Sequence, residues 1–225
     1  MTLVLLAHGT RDPAGAEVAA TVAGAVHTRL PAVPVELAFA DVRAPNLAEV
    51  LRRVPGPAVL VPAFLASGYH VRLDVPRQVA RSGRSDVVIA PALGPAPELV
   101  DVVCERVRAA GARPGDALVL AAAGSTDAGA VADVRRAAAL LSARTGVLVR
   151  IGYLTARTPR LADVVRNVRR SAGRVAVASW LLAPGLFHGR VVDSGADIVA
   201  DPIGAHPALA DLIVRRYADA VTLVA

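Results

Sequence analysis

The chain has no lysine, one cysteine, one methionine and one tryptophan, and aromatic residues fill only 3% of its 225 positions. The lone cysteine, Cys104, cannot close an internal disulfide, so stability must come from the core rather than from covalent staples. Within the run ELVDVVCERV it reads as a small, buried or half-buried helix residue rather than a redox group. Scarce aromatics leave little on which to stack single-stranded bases, and the arginines are scattered rather than gathered on one helix, so no nucleic acid partner is expected. No apolar run reaches the ~18 residues of a membrane helix, because Arg, Asp, Pro or Gly interrupts each one. Met1 leads straight into LVLLAHG without the basic stretch of a secretory signal. The expectation is a soluble, cytoplasmic protein with no membrane partner.

What is present is equally one-sided. Hydrophobic residues make up 54% of the chain and are mostly Val, Leu, Ile and Ala, a composition for strands packed against helices. The formal charge is +6, carried by arginine alone. Guanidinium groups bind carboxylate or phosphate through a two-pronged donor geometry, which favours a small polyanionic substrate.

The chain is written twice. LVLLAHGTRDPA at 3–14 returns as LVLAAAGSTDAG at 118–129, and PNLAEVLRRV from Pro45 returns as PRLADVVRNV from Pro159. PAFLASGYH from Pro62 answers SWLLAPGLF from Ser179, and ALGPAPELVDVV from Ala92 answers PIGAHPALADLI from Pro202. Gly111, Pro114 and Gly115 mark the joint, giving an N-terminal lobe at 1–114 and a C-terminal, degenerate lobe at 115–225.

Short apolar runs alternate with amphipathic stretches throughout. Strands are expected at Thr2–Ala7, Val35–Phe39, Ala58–Pro62 and Val87–Ala90, with helices at Ala14–Leu30, Leu47–Val54, Val71–Ala80 and Pro97–Ala109. The second copy offers strands near Ala117–Ala122, Leu148–Tyr153, Val175–Ser179 and Asp197–Ala200. Such alternation predicts an α/β fold: two similar doubly wound lobes, each a parallel four-stranded sheet flanked by helices. Ligands of such sheets bind beyond the carboxyl ends of the strands, and the crevice between the lobes is the expected place.

The copies differ where chemistry could sit. His8 aligns with Ala123, Asp41 with Thr155 and His70 with Phe187. All three unmatched residues follow strands of the first copy and should share one rim. Two imidazoles and a carboxylate suit a divalent first-row ion, and equally serve as proton acceptors near neutral pH. Asp41 has a competing role as a helix cap, although Asn46 is better placed for it. His27 is expected to face solvent. His188 lies one position past the partner of His70, and His206 precedes Pro207 as a helix cap. Neither GTRDPAG nor GSTDAG has the spacing of a nucleotide-binding glycine loop. AHGTRD is similar to the Arg-His-Gly signature of histidine phosphatases, but Ala7 stands where the phosphate-holding arginine belongs.

LVLLAHGTRDPAG, FADVRAPNLAEVL, VLVPAFLASGYHVRLDVP and APALGPAPELVDVV together resemble the sirohydrochlorin chelatases of the SirB and CbiX type. AAAGSTDAGAVADV, SWLLAPGLFHGRVV and IGAHPALADLIVRR resemble the C-terminal half of their long form. The resemblance implies a class II chelatase, a lyase that inserts Fe²⁺ or Co²⁺ into sirohydrochlorin without ATP, for sirohaem or cobalamin synthesis within porphyrin-type metabolism. It implies His8 and His70 as metal ligands and Asp41 in the place of the family's usual glutamate, where the shorter side chain suits a water-bridged or proton-accepting role as well as ligation. Protoporphyrin ferrochelatases carry the key histidine in the other lobe, and Ala123 and Phe187 point to the first lobe here. Arg11, Arg43 and Arg72 are the candidates for the substrate's carboxylates, with Ser67 and Gly68 letting the flat ring approach the backbone. No cofactor beyond the metal substrate is expected, and a monomer is the simplest assembly. The alternative is a protein that binds tetrapyrrole or metal without catalysing insertion.

Overall fold

The computed structural model describes residues 1–223. β1 (Thr2–Ala7) is followed by α1 (Pro13–Arg29), whose start is fixed by Asp12: its side chain accepts from the Ala14 amide, and Pro13 occupies the first turn. β2 (Val35–Phe39) leads to α2 (Leu47–Arg53), opened by a capping box between Asn46 and Glu49. Asn46, not Asp41, is therefore the cap. β3 (Ala58–Pro62) precedes a π turn at His70–Asp74 and α3 (Val75–Arg81), and β4 (Val87–Ile89) closes the first sheet.

The second half runs α4 (Pro97–Ala109), β5 (Ala117–Ala122), α5 (Ala128–Thr145), β6 (Val149–Tyr153), α6 (Leu161–Arg169), β7 (Val175–Trp180), α7 (Leu186–Val192), β8 (Ile198–Val199) and α8 (Pro207–Thr222). Its sheet repeats the first: the orders are β2-β1-β3-β4 and β6-β5-β7-β8, with every pairing parallel. The central strands β3 and β7 are buried along their whole length and β1 and β5 at all but one end residue, as helices on both faces require. The doubly wound pair of α/β lobes expected from the alternation is the architecture observed.

Two local differences matter. The single helix expected over Val71–Ala80 divides, because the Val75 amide bonds to the His70 carbonyl, an i to i+5 closure that widens the first turn. The last strand shrinks to Ile198–Val199 at a sheet edge, with Asp197 instead accepting from the Val175 amide and pairing with Arg169 at 2.9 Å.

The compact units do not follow the 114/115 repeat boundary. One contains Met1–Leu93 together with the chain from Ala205 onward; the other is Gly94–Gly204. The last helix of each copy has changed sides: α4 packs on β7 and α5, and α8 packs on α1 and β3. Tyr217 of α8 donates its hydroxyl to the Met1 carbonyl at 2.7 Å, and Asp211 pairs with Arg29 of α1 at 2.5 Å. Among the described residues no helix is long and apolar enough to cross a membrane.

Candidate active site

At the carboxyl ends of β1 and β2 the hydrogen-bond ladder continues past the strands. The Ala40 amide bonds to the Ala7 carbonyl at 2.9 Å and the Asp41 amide to the His8 carbonyl at 3.0 Å. This pairing sets Asp41 beside His8. The approach is so close that a Cβ on Gly9, at φ +99°, would lie 2.0 Å from the Asp41 carbonyl oxygen, so only glycine fits. The second lobe is built the same way, with the Thr155 amide on the Ala123 carbonyl at 2.8 Å and Gly124 at φ +95° against the Thr155 carbonyl.

What the first lobe adds is a pair of imidazoles. The His8 and His70 ring centroids lie 4.9 Å apart, edge to face at 69°. Phe64, buried, backs both rings, its centroid 5.7 Å from His8 and 6.3 Å from His70. Tyr69 meets His70 edge-on at 6.0 Å. A nitrogen about 2 Å from a first-row ion sets its ring centroid roughly 3.2 Å from that ion, so two centroids at this spacing subtend roughly 100°, near the tetrahedral value. His8 and His70 could therefore share one ion.

Electrostatics keep His8 ready for that. It is exposed as a residue yet its ring is crowded by protein, and this desolvation, followed by repulsion from His70, lowers its pKa below the ordinary histidine value; attraction to Asp41 opposes the shift. The neutral ring with a free lone pair is the favoured form at neutral pH. His70 is half-buried, with Nδ1 2.8 Å from Asp74 Oδ2 four residues on.

Asp41 stays close but turns to its own loop. Its Oδ1 accepts from the Val42 amide at 2.7 Å, where Val42 adopts φ 52°. Among the described residues no group of three or more His, Cys, Asp or Glu side chains could hold a metal ion.

The arginines divide. Arg43 donates its Nε to the Thr10 carbonyl at 3.3 Å and lies 6.0 Å over the Phe39 ring, which ties together the loops carrying His8 and Asp41. Arg11 and Arg72 are exposed; the Arg72 amide bonds the Gly68 carbonyl at 3.0 Å, so Gly68 helps to open the π turn, and Ser67 is half-buried beside it. His27 is exposed on α1, as expected. His206 caps α8, its Nδ1 accepting from the Ala208 amide at 3.2 Å. His188, on α7, has a buried Nε2 without a hydrogen-bond partner in the described structure.

Sequence reasoning passed over Asp74, Phe64 and three bare apolar side chains near the imidazoles in sequence or space, Val42, Tyr69 and Leu73, exposed by 52%, 47% and 46%. The signal for Asp74 was present, since HVRLD places it four residues after His70 in a helical stretch. The three apolar residues gave none, because such a residue looks the same in sequence whether it is buried or bare.

Duplicated parallel α/β lobes, one of which presents two facing imidazoles beyond its strand ends, define a chelatase-like class of fold. The chain belongs to the CbiX/SirB chelatase family in its full-length form: the CbiX family model matches residues 2–110 and again 117–220, once for each copy of the repeat. The fold is shared with SirB from Bacillus subtilis with Fe³⁺, at TM-score 0.79 and 23% identity, covering 98% of this chain and 96% of that one. It is shared with SirB from Bacillus subtilis subspecies spizizenii in complex with cobalt, at TM-score 0.76 and 20% identity over 99% and 96% of the chains. CbiX, the terminal enzyme for sirohaem biosynthesis in denitrifying bacteria, follows at TM-score 0.74 and 22% identity over 98% and 99%. No curated protein matches the sequence.

Proposed function

We propose that this protein is a sirohydrochlorin chelatase that inserts Fe²⁺ or Co²⁺ into its macrocycle without ATP, holding the incoming ion between His8 and His70. The observation that carries the reading is the facing imidazole pair, 4.9 Å apart and backed by Phe64. Family membership supports the reaction class, and the iron- and cobalt-containing SirB structures support the choice of ions.

The chemistry is metal-for-proton exchange. An ion held by two neutral nitrogens and by water is stable enough to be captured and weakly enough bound to be surrendered to a ring with four nitrogen donors. Two pyrrole protons must leave as it enters. Asp41, beside His8 and exposed, is the proposed acceptor, taking one proton at a time and releasing each to solvent. Val42, Tyr69 and Leu73 offer apolar surface for the flat face of the ring. Arg11 and Arg72 are the proposed contacts for its peripheral carboxylates, with Ser67 and Gly68 beside them; Arg43 has the additional task of holding the two loops together. No cofactor is required beyond the metal that is itself a substrate.

The test is anaerobic absorbance of sirohydrochlorin mixed with protein and each metal in turn. Many turnovers per protein above the spontaneous rate with Fe²⁺ or Co²⁺ are expected. Capture that stops at one equivalent would replace the enzyme by a carrier of metal or tetrapyrrole.

A further inference from the structure

The π turn places Asp74 so that its Oδ2 meets His70 Nδ1 at 2.8 Å. We infer that Asp74 is a positioning residue that fixes the tautomer and direction of His70, and so determines how the imidazole pair holds an ion. The inference rests on the reading of His8 and His70 as the metal-holding pair.

An ionised carboxylate can only accept a hydrogen bond, so Nδ1 must carry the proton and Nε2 the lone pair. A neutral histidine left to itself can place its proton on either nitrogen, and half of that choice is useless to an ion on the Nε2 side. The ring is also held from outside: Tyr69 lies edge-on to it, and the Tyr69 hydroxyl accepts from Arg77 Nη1 at 3.2 Å. Gln78 donates to the Ala40 carbonyl at 3.1 Å, anchoring α3 to the loop that follows β2. His70, Asp74, Arg77 and Gln78 all lie on the continuous segment formed by the π turn and α3, so the ring's support and its location are set by one piece of backbone. Among the described residues no carboxylate bonds the His8 ring in this way; its neighbour Asp41 is occupied with the Val42 amide. The two ligands are therefore unequal, one aimed and one free to adjust. The second copy lacks the device: Val191, fully buried, stands at the position aligned with Asp74.

The experiment uses the full chain with ¹⁵N-labelled histidine, metal-free, at a pH above the imidazole range, together with Co²⁺ titration followed by its d–d absorption. Wild-type His70 is expected as the Nδ1–H tautomer. Asp74→Ala should turn it into a mixture and weaken Co²⁺ binding by about 10 to 100-fold, the usual cost of removing a partner that orients a metal ligand. Asp74→Asn, which keeps the shape and a carbonyl acceptor, should fall between the two, and guards against a folding defect in the alanine variant. An unchanged His70 tautomer in Asp74→Ala overturns the inference, and so does a changed tautomer with unaltered Co²⁺ affinity. If His8→Ala and His70→Ala also leave Co²⁺ binding intact, it is the metal-site reading that has failed; if they abolish binding while Asp74→Ala does not, only the role of Asp74 has.

Discussion

His8 and His70 are separated by 61 intervening positions in sequence yet come within ring contact, because each follows a strand of the same parallel sheet. Replacing either by alanine should lower metal insertion by at least about 100-fold, since even a supporting partner of a metal ligand is worth 10 to 100-fold. His188→Ala should lower it by less than about threefold, the size expected of a change in packing alone. Steady-state rates with sirohydrochlorin and Co²⁺ measure both, and circular dichroism shows that the fold survives. A second consequence concerns pH. Burial and His70 lower the pKa of His8, so in the window between that lowered value and the ordinary 6.5 the unfolded chain binds more protons than the native one. Native stability is therefore complete above the ordinary value and declines as pH falls through the window. His8→Asn removes this term, so the gap in urea midpoint between wild type and variant should move in the variant's favour as the solution is acidified. A gap that stays constant would mean His8 is not desolvated as its surroundings imply.

At the scale of elements, the strands were plain in the sequence because buried parallel strands are continuous apolar runs, and helix starts were plain wherever Asp12, Asn46 or Pro97 announced them. The π turn was hidden. Over one turn an i to i+5 closure and an i to i+4 closure carry the same apolar spacing, so periodicity through HVRLDVPRQVA could not tell them apart. Asp74, by contrast, was legible, because its spacing of four from His70 is the same under either closure. Asp41 shows the reverse limit: its place beside His8 followed from topology, but its carboxylate's bond to the next amide depends on a positive-φ kink at Val42 that no pattern announces. The duplicated turns give a matched test. Gly9→Ala and Gly124→Ala each force a Cβ into a carbonyl about 2 Å away at a positive φ, and each should destabilise by about 3 kcal/mol or more. Only the first lies beside the imidazole pair. Equal losses of stability are expected in denaturant titrations, with the larger loss of Co²⁺ affinity in Gly9→Ala.

At the scale of the whole molecule, the repeat in the sequence and the units of packing are different objects. The gene-level copy ends near residue 114, but the helix that completes the first sheet is α8, from the far end of the chain, while α4 serves the second sheet. Sequence alone could not show this, because α4 and α8 are themselves copies of one another and each would satisfy either sheet by composition. The crossing should make α8 necessary to a proposed site that lies wholly in the first 74 residues. Leu209, Leu212, Ile213 and Tyr217 of α8 are buried, and at about 1.5 to 3 kcal/mol each their removal would cost about 6 to 12 kcal/mol, comparable with the roughly 5 to 15 kcal/mol that holds a domain together. A fragment cut at the repeat boundary, residues 1–114, should therefore fail to fold and should not bind Co²⁺, even though it contains His8, Asp41, His70 and Asp74; so should the shorter 1–110. Residues 1–93 joined by a flexible linker to 205–223 should recover both cooperative unfolding and Co²⁺ binding. A folded, metal-binding 1–110 would show that α4 can turn back onto the first sheet, and that the exchange of helices is a choice the chain makes rather than a condition of its fold.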